Sequence, residues 1–214
     1  NALIQPDRGQ KAVSIHLIKK DGLEQFTKGL SVPQRAAIEA QKFVGDPGSH
    51  AIVPDGEGWF VAAGVADPSS LSTWCLAKLA DVLPAGTYRR ANGEPGKAAL
   101  GWIAGQYSFD RYRSEPSEEG PRILLTGEVK AIDAAIAEAE AIEFVRDLVN
   151  TPAEDMGPGQ LESEAESLAK AFRAEVRITR GEMLEREYPM VHAVGRAAGR
   201  AHAPRLIEVE WGEP

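Results

Sequence analysis

The stretch VKAIDAAIAEAEAIEFVRDLVN, residues 129–150, is the longest uninterrupted helical pattern in the chain. Its alanine-rich middle favours a helix, and its larger apolar residues fall along one side while the charges lie mostly elsewhere. These apolar residues are Val129, Ile132, Ile136, Val145, Leu148 and Val149. At 1.5 Å per residue the helix spans about 30 Å, which is long enough to join two domains. Pro152 ends the pattern, because the residue before a proline is pushed out of the helical region.

This helix sets the predicted domain organisation. We place the domain junction on it and predict an N-terminal α/β domain over residues 1–128, a linking helix over residues 129–150 and the start of a second domain over residues 151–214. A chain of 214 residues is long enough for one complete domain and part of another.

Before the linking helix, strand and helix patterns alternate along the chain. β-Branched and apolar runs predict strands at residues 13–18, 51–53, 59–63, 87–90 and 122–126. Helical spacing predicts helices at residues 33–43, 70–83 and 97–107. The turn at residues 54–58 predicts a hairpin, and a polar loop occupies residues 114–121. Such alternation is typical of an α/β fold with a mainly parallel or mixed sheet covered by helices.

After the linking helix the same alternation begins again. We predict a helix at residues 160–172, a strand at residues 175–179, a helix from about Glu182 and a strand at residues 205–211. The last strand needs neighbours to pair with, and three residues follow it. We therefore expect the second domain to be incomplete.

Charge and cysteine content narrow the classes of function. The net charge is −8, from 32 acidic and 24 basic residues, and the absence of a basic run disfavours nucleic acid as a partner. Cys75 is the only cysteine, so no disulfide forms within the chain, which suits the reducing cytoplasm. We expect its thiol to lie on or beside the apolar face of the predicted helix at residues 70–83. Neither a signal peptide nor a membrane-spanning run is expected.

The four histidines show no metal-binding pattern. None forms an HExxH motif, and no two lie three or four residues apart, so a zinc site built from histidines alone is disfavoured. They are His16, His50, His192 and His202. We expect His16, inside a strand, to be hydrogen-bonded in the core or half-buried. His192 and His202 flank a glycine-containing turn, where we favour a packing or solvated role over a functional one.

Three further patterns carry only weak functional signals. Glu162, Glu164 and Glu166 are expected on the solvated surface, with Glu166 paired to Lys170 four residues later. The glycine-containing segment at residues 195–199 lacks the P-loop lysine, which disfavours phosphate binding there. No Gly-x-Ser-x-Gly elbow occurs, and Cys75 has no histidine near it in sequence, so nucleophilic catalysis has no support.

Four segments, in order, carry a resemblance to a known family. LGWIAGQYSFDRYR (residues 100–113) matches a Gly-Trp helix followed by Tyr-x-Phe-x-x-Tyr, and RDLVNTP (146–152) matches an Arg-x-Leu-x-Asn-x-Pro junction. VHAVGRAA (191–198) and PRLIEVEWG (204–212) match a Val-Gly turn before a strand. The ordered set resembles the cytosolic leucyl aminopeptidase family, clearly from about Ala98 onward and vaguely before it.

The resemblance implies a macrodomain-like N-terminal α/β domain, a long linking helix and the start of an α/β catalytic domain. Members of the family assemble as hexamers and remove N-terminal amino acids from peptides with two divalent metal ions, commonly zinc, manganese or magnesium. Such a metal pair polarises the scissile carbonyl and supplies hydroxide near neutral pH, and it needs converging oxygen ligands.

The resemblance assigns no active-site residue to this chain. In the family, the metal ligands, a metal-site lysine and a catalytic arginine follow the strand matched here by residues 206–211, and the lysine-containing Phe-Asp-Thr-Gly-Gly-like motif does not occur in these 214 residues. We therefore predict no catalytic, cofactor-binding or metal-binding residue in the chain. Alone, it is expected to be inactive and metal-free.

Two alternatives to the peptidase hypothesis stay open. One is a non-catalytic, macrodomain-like binding module. The unpaired edge of the last strand disfavours this alternative, because such edges promote aggregation. The other is nucleic-acid binding, known for some family members, which the acidic charge balance disfavours.

Overall fold

The computed structural model describes residues 3–115 and 120–212, so the first two residues, the middle of the predicted polar loop and the last two residues lie outside it. The chain divides into two compact units, Asn1–Phe144 and Val145–Pro214. The boundary falls within the long helix, whose observed bounds are Val129–Asn150 (α5). The division predicted at residues 128 and 150 stays a prediction. None of the helices in the described ranges is both long and apolar enough to cross a membrane.

A six-stranded mixed sheet forms the centre of the first unit. Its strands are β1 (Ile4–Pro6), β2 (Val13–Ile18), β3 (His50–Asp55), β4 (Gly58–Gly64), β5 (Gly86–Arg90) and β6 (Arg122–Thr126). They lie in the order β1-β6-β5-β2-β4-β3, and each neighbouring pair is parallel except the β3–β4 hairpin. The predicted mixed sheet and hairpin are confirmed.

Helices cover both faces of this sheet. They are α1 (Leu23–Lys28), α2 (Val32–Ala40), α3 (Ala77–Val82), α4 (Ala98–Ala104) and the first part of α5. Side chains alternate between the faces of a strand. One face of β2 therefore presents Ile15 to a cluster with Leu79 of α3 and Trp102 of α4, while the other presents Ile18 to a cluster with Ile38 of α2. A third cluster joins Ile4 to α4 and α5.

Several predicted helix bounds are too long. The helix predicted over residues 33–43 spans Val32–Ala40, because Lys42 turns into the left-handed region at φ 53° and carries Phe43 into the core. The helix predicted over residues 97–107 spans Ala98–Ala104. The three-residue strand β1 was not predicted at all.

The helix predicted over residues 70–83 is confined to Ala77–Val82, after a series of turns. Cys75 fixes one of these turns, since its sulfur contacts the backbone nitrogen of Ser72 at 3.3 Å and the Ser72 hydroxyl at 3.2 Å. Its half-buried side chain packs against the cluster around Ile15, as expected. The neighbouring Trp74 is exposed.

Helix α4 lies close to the turns before α3 and to the start of α3, because glycines occupy the two contact positions. Gly101 lies within α4, and Gly105 directly follows it. A Cβ atom on Gly101 would overlap the carbonyl oxygen of Thr73, and one on Gly105 would overlap that of Ala77. All seven residues of α4 are buried. Glycine is therefore required for this contact between helix and turn.

Beyond the end of α5, the described part of the second unit contains a two-stranded antiparallel sheet and three α-helices. They are α6 (Pro158–Phe172), β7 (Glu175–Arg180), α7 (Glu182–Glu187), α8 (Pro189–Gly195) and β8 (Arg205–Glu210). Ile178 of β7 faces Ile207 of β8. The single helix predicted from Glu182 is two helices, because Pro189 forces Tyr188 out of the helical region.

Candidate functional site

The four histidines lie on separate elements: His16 on β2, His50 on β3, His192 on α8 and His202 just before β8. Within residues 3–115 and 120–212, no group of three or more His, Cys, Asp or Glu side chains could hold a metal ion. The described residues therefore do not fit the metal pair that the family resemblance implies, and no hydrolytic step is assigned to them.

His16 is half-buried among aromatic rings, as expected. Its ring meets that of Phe60 edge-on, with centroids 4.9 Å apart, and lies 5.6 Å from that of Phe26. Burial lowers the pKa of His16, and the nearby Asp55 carboxylate partly opposes this effect. The imidazole is therefore held neutral at neutral pH.

The other histidines have ordinary surroundings. Burial lowers the pKa of His50, and the positive charge of Lys78 adds to the effect. The Nδ1 atom of His192 lies 3.9 Å from Glu185 Oε1. The His202 ring fills the space where a side chain on Gly157 would lie. For His192 and His202, contact with these neighbours agrees with a packing role.

Glu162 corrects a prediction. Placed on the solvated surface by the sequence pattern, it is only 7% exposed. Its Oε1 accepts a hydrogen bond from Arg180 Nη1 at 2.9 Å, and its Oε2 accepts one from Arg205 Nη1 at 2.5 Å. The Arg205 side chain is itself 10% exposed and also donates to the Ala203 carbonyl oxygen. We call Glu162, Arg180 and Arg205 the Glu162 network.

The other two carboxylates on α6 do face solvent, at least in part. Glu164 is partly exposed and accepts a hydrogen bond from Gln160 at 3.0 Å. Glu166 is exposed as predicted, but the expected pair between Glu166 and Lys170 is not among the ion pairs of the described residues. The prediction fails for Glu162 because its partners lie 18 and 43 residues away, beyond the reach of local helical spacing.

The glycine-containing segment at residues 195–199 begins at the C-terminal end of α8, where Gly195 lies against the ring of Pro204. Anions bind at the N-terminal ends of helices, because the free N–H groups and the positive end of the dipole lie there. The segment therefore begins at the negative end of the α8 dipole, and the weak expectation for phosphate binding there stays a prediction.

The carboxyl ends of the parallel strands are where open α/β sheets usually bind ligands, at the point where the strand order reverses. Here that point lies between β2 and β5, since β4 and β3 follow on one side and β6 and β1 on the other. Arg90, at the end of β5, donates to the carbonyl oxygens of Pro68, at 3.0 Å, and Glu94. The Glu94 carboxylate accepts bonds from Thr126 Oγ1 at 2.8 Å and from the Gly127 backbone nitrogen at 2.9 Å.

These contacts connect the three loops that follow β4, β5 and β6. Burial lowers the pKa of Arg90, and the charges of Glu94 and Glu128 oppose that effect. The sequence analysis did not single out Arg90 or Glu94, and their spacing of four residues is too common to mark a site. Their hydrogen bonds hold the loops together, whereas the Nε atom of Arg90 is buried without a hydrogen-bond partner among the described residues.

Comparison with known proteins identifies the family of each half of the chain. Residues 13–125 match the sequence profile of the M17 aminopeptidase N-terminal domain. Residues 143–214 match the profile of the cytosol aminopeptidase family catalytic domain.

Individual relatives agree with these two matches. A probable cytosol aminopeptidase of Brucella ovis is 28% identical, in an alignment that covers 94% of this chain and 47% of the relative. The crystal structure of the cytosol aminopeptidase from Coxiella burnetii aligns with a TM-score of 0.82 and 28% identity, over 99% of this chain and 46% of that one. The bottromycin maturation enzyme BotP, in complex with Mn, aligns with a TM-score of 0.69 and 27% identity, over 94% of this chain and 45% of that one.

The chain thus spans about half the length of these relatives. The predicted fold class is confirmed, because the first unit carries the N-terminal domain match and the structural neighbours share the α/β fold. The resemblance drawn from the four sequence segments is confirmed as well. With more than half of its residues matched by one profile and most of the remainder by the other, the chain belongs to the M17 family of cytosol aminopeptidases.

Proposed function

We propose that this chain forms the N-terminal part of a metal-dependent aminopeptidase that removes N-terminal amino acids from peptides. The observation that carries the proposal is the structural likeness to the Coxiella burnetii cytosol aminopeptidase along 99% of the chain, with a TM-score of 0.82. The order of the two matches, N-terminal domain and then catalytic domain, supports it.

The metal chemistry is assigned to residues beyond these 214. A Mn-bound relative supports a divalent metal, and we propose a pair of zinc or manganese ions in the complete enzyme. The described residues offer no group of ligands for such ions. The chain alone is therefore proposed to be inactive and to bind neither ion.

We propose that the second unit contributes a surface against which the remainder of the catalytic domain packs. Within the described residues its sheet has two strands, and two large apolar side chains stand out together from α8: Met190 is 79% exposed and Val194 89%. Exposed apolar patches of this kind mark sites of association. Assembly as a hexamer, peptide substrates and a cytoplasmic location complete the proposal, supported by the family and by the single cysteine.

The macrodomain-like binding module is the competing hypothesis. It would place a ligand at the carboxyl ends of the strands, where Arg90 instead binds two backbone carbonyl groups. The structure of this edge therefore favours the peptidase proposal.

The test compares this chain with the natural gene product. Intact mass gives the length of the natural product, and hydrolysis of leucine p-nitroanilide is measured for both proteins with added manganese or zinc. We expect a longer, active natural product and an inactive chain. A natural product that ends at Pro214 would refute the peptidase proposal and favour the binding module.

A further inference from the structure

A cavity of about 590 Å³ opens in the first unit at the amino ends of β2, β4 and β5, the edge opposite Arg90. Small-molecule sites commonly have volumes of about 300–1,000 Å³. Its lining includes Lys11, Ser14, His16, Asp55, Trp59 and Thr87. We call it the amino-edge pocket.

The register of the sheet brings three polar side chains of the pocket together. Val13 lies opposite Tyr88, so Ser14 and His16 of β2 project from the same face as Thr87 of β5. The side chains of these three residues make no hydrogen bond to any other residue in the described ranges. They are open to a ligand. The neutral His16 ring, held between Phe26 and Phe60, has one donor and one acceptor nitrogen to offer.

Charges of both signs stand at the mouth. Lys11 precedes β2 and is exposed, with no ion-pair partner among the described residues. Asp55 and Glu57 come from the hairpin between β3 and β4. One oxygen of Asp55 accepts a bond from Gln34 at 3.3 Å, which leaves the other available. Phe60 projects from the same face as His16 and supplies an apolar wall, whereas Trp59 projects from the opposite face, where its ring packs against that of Tyr88.

We propose that the amino-edge pocket binds a free amino acid with an apolar side chain. Its carboxylate pairs with Lys11 and accepts hydrogen bonds from the Ser14 and Thr87 hydroxyls. Its ammonium group pairs with Asp55, and its side chain lies against Phe60. A ligand of one sign would leave Lys11 or Asp55 unmatched, whereas a zwitterion satisfies both. The proposal needs no peptidase activity, so its failure would leave the proposed function unaffected.

The test is a titration of the purified 214-residue chain, followed by ¹H–¹⁵N NMR spectra. The probes are L-leucine, N-acetyl-L-leucine, which lacks the ammonium group, and L-leucinamide, which lacks the carboxylate. L-Leucine should shift the amide signals of the pocket lining. Each blocked probe should bind at least about tenfold more weakly, because one charge pair is lost. Equal binding of all three probes, or shifts outside the pocket, would overturn the proposal.

Substitutions at the two charges give an independent readout. Lys11→Met and Asp55→Asn should each weaken L-leucine binding about tenfold or more. The matched controls Lys130→Met and Asp133→Asn change exposed residues of α5 that do not line the pocket, and they should leave binding unchanged. The spectrum of each ligand-free variant checks that it is folded. Unchanged binding in both pocket variants would contradict the proposed contacts, as would the absence of binding to the unmodified chain.

Discussion

Glu162 is a buried anion held by two arginine side chains, and one of them, Arg205, is nearly as inaccessible as Glu162 itself. Glu162→Gln removes the charge and leaves Arg205 without a counter-ion. Loss of one partner from a buried pair costs about 3–5 kcal/mol. We expect the second unit to lose about 3 kcal/mol of unfolding free energy, toward the lower end because Arg180 is more exposed.

Amide hydrogen exchange in β7 and β8 measures this loss within the second unit. Glu166→Gln on the same helix is the matched control, because Glu166 is exposed, and its effect should stay within about 0.5 kcal/mol. Equal exchange rates in the two variants would show that the Glu162 network adds nothing to stability.

His16 provides a pH-dependent prediction. Its pKa in the folded chain lies below the ordinary value of 6.5, so the unfolded chain binds the proton more tightly. The resulting contribution to stability is full above pH 6.5 and is lost as the pH falls through 6.5 toward the folded pKa. Asp55 raises the pKa of His16, so Asp55→Asn should lower it further. NMR titration of the imidazole protons measures the pKa in both proteins, and a rise in the variant would contradict the assigned cause.

Residue types and spacings predicted part of this chemistry. The half-buried state of His16 was expected from its place in a strand, and Cys75 packs against the core as expected, although it lies in a turn and not in the predicted helix. The role of Glu162 could not be predicted in this way, because Arg205 approaches it only after β8 has paired with β7. The amino-edge pocket was missed for the same reason, since Lys11, Asp55 and Thr87 meet only across the assembled sheet.

At the scale of elements, the contact between α4 and the turns before α3 depends on glycine. Gly101→Ala would place a Cβ against the backbone carbonyl of Thr73, which no side-chain movement can relieve. We expect a loss of about 1–3 kcal/mol in unfolding free energy, as for other overpacked cores. Urea denaturation measures it. Gly22→Ala is the control, because a Cβ there meets no atom within 4 Å, and a similar loss in both variants would contradict the packing argument.

The loop between β5 and α4 gives a second prediction at this scale. Glu94→Ala removes the acceptor for Thr126 Oγ1 and for the Gly127 backbone nitrogen. Leaving the hydroxyl of the buried Thr126 unpaired costs about 1–3 kcal/mol. Exchange of the Gly127 amide should become faster, whereas exchange in β2 should not change. Glu39→Ala, at an exposed position on α2, should leave Gly127 protected.

Local pattern predicted the strands better than the helix ends. Strand β2 matches its predicted bounds, because its β-branched and apolar run is distinctive and is flanked by polar residues. The bounds of α3 were wrong because the Ser72–Cys75 turn competes with the helix, and spacing alone does not reveal such a turn. Strand β1 has three residues and exists through its pairing with β6, which no local signal encodes.

For the whole molecule, substitution of an exposed apolar side chain of α8 should have different effects in this chain and in the proposed complete enzyme. Val194→Lys should change the unfolding free energy of this chain by less than about 0.5 kcal/mol, because Val194 is 89% exposed. In the natural gene product, the same change should lower the melting temperature and the peptidase activity together, since it would bury a charge. Lys170→Gln, an exposed substitution on α6, is the control. Equal behaviour of Val194→Lys in both proteins would contradict packing at this surface.

The general architecture was predictable, and the arrangement of its parts was not. Alternating patterns predicted the α/β fold, and four short segments predicted the family. The strand order β1-β6-β5-β2-β4-β3 depends on which crossovers form on which face, and this is a property of the assembled core. The apolar side predicted for α5 is likewise buried only in part: Ile132 is buried, whereas Val149 is 78% exposed.

The two sheets also differ in how their edges end. The edge strands of the first sheet are β1, which has three residues and ends in Pro6, and β3, which contains Pro54. Prolines and short strands at an edge block the addition of further strands. Strands β7 and β8 have six residues each and no proline, and within the described residues each is paired on one side only. The second sheet therefore has an open edge on each strand, and at high protein concentration these edges should favour association between copies of this chain.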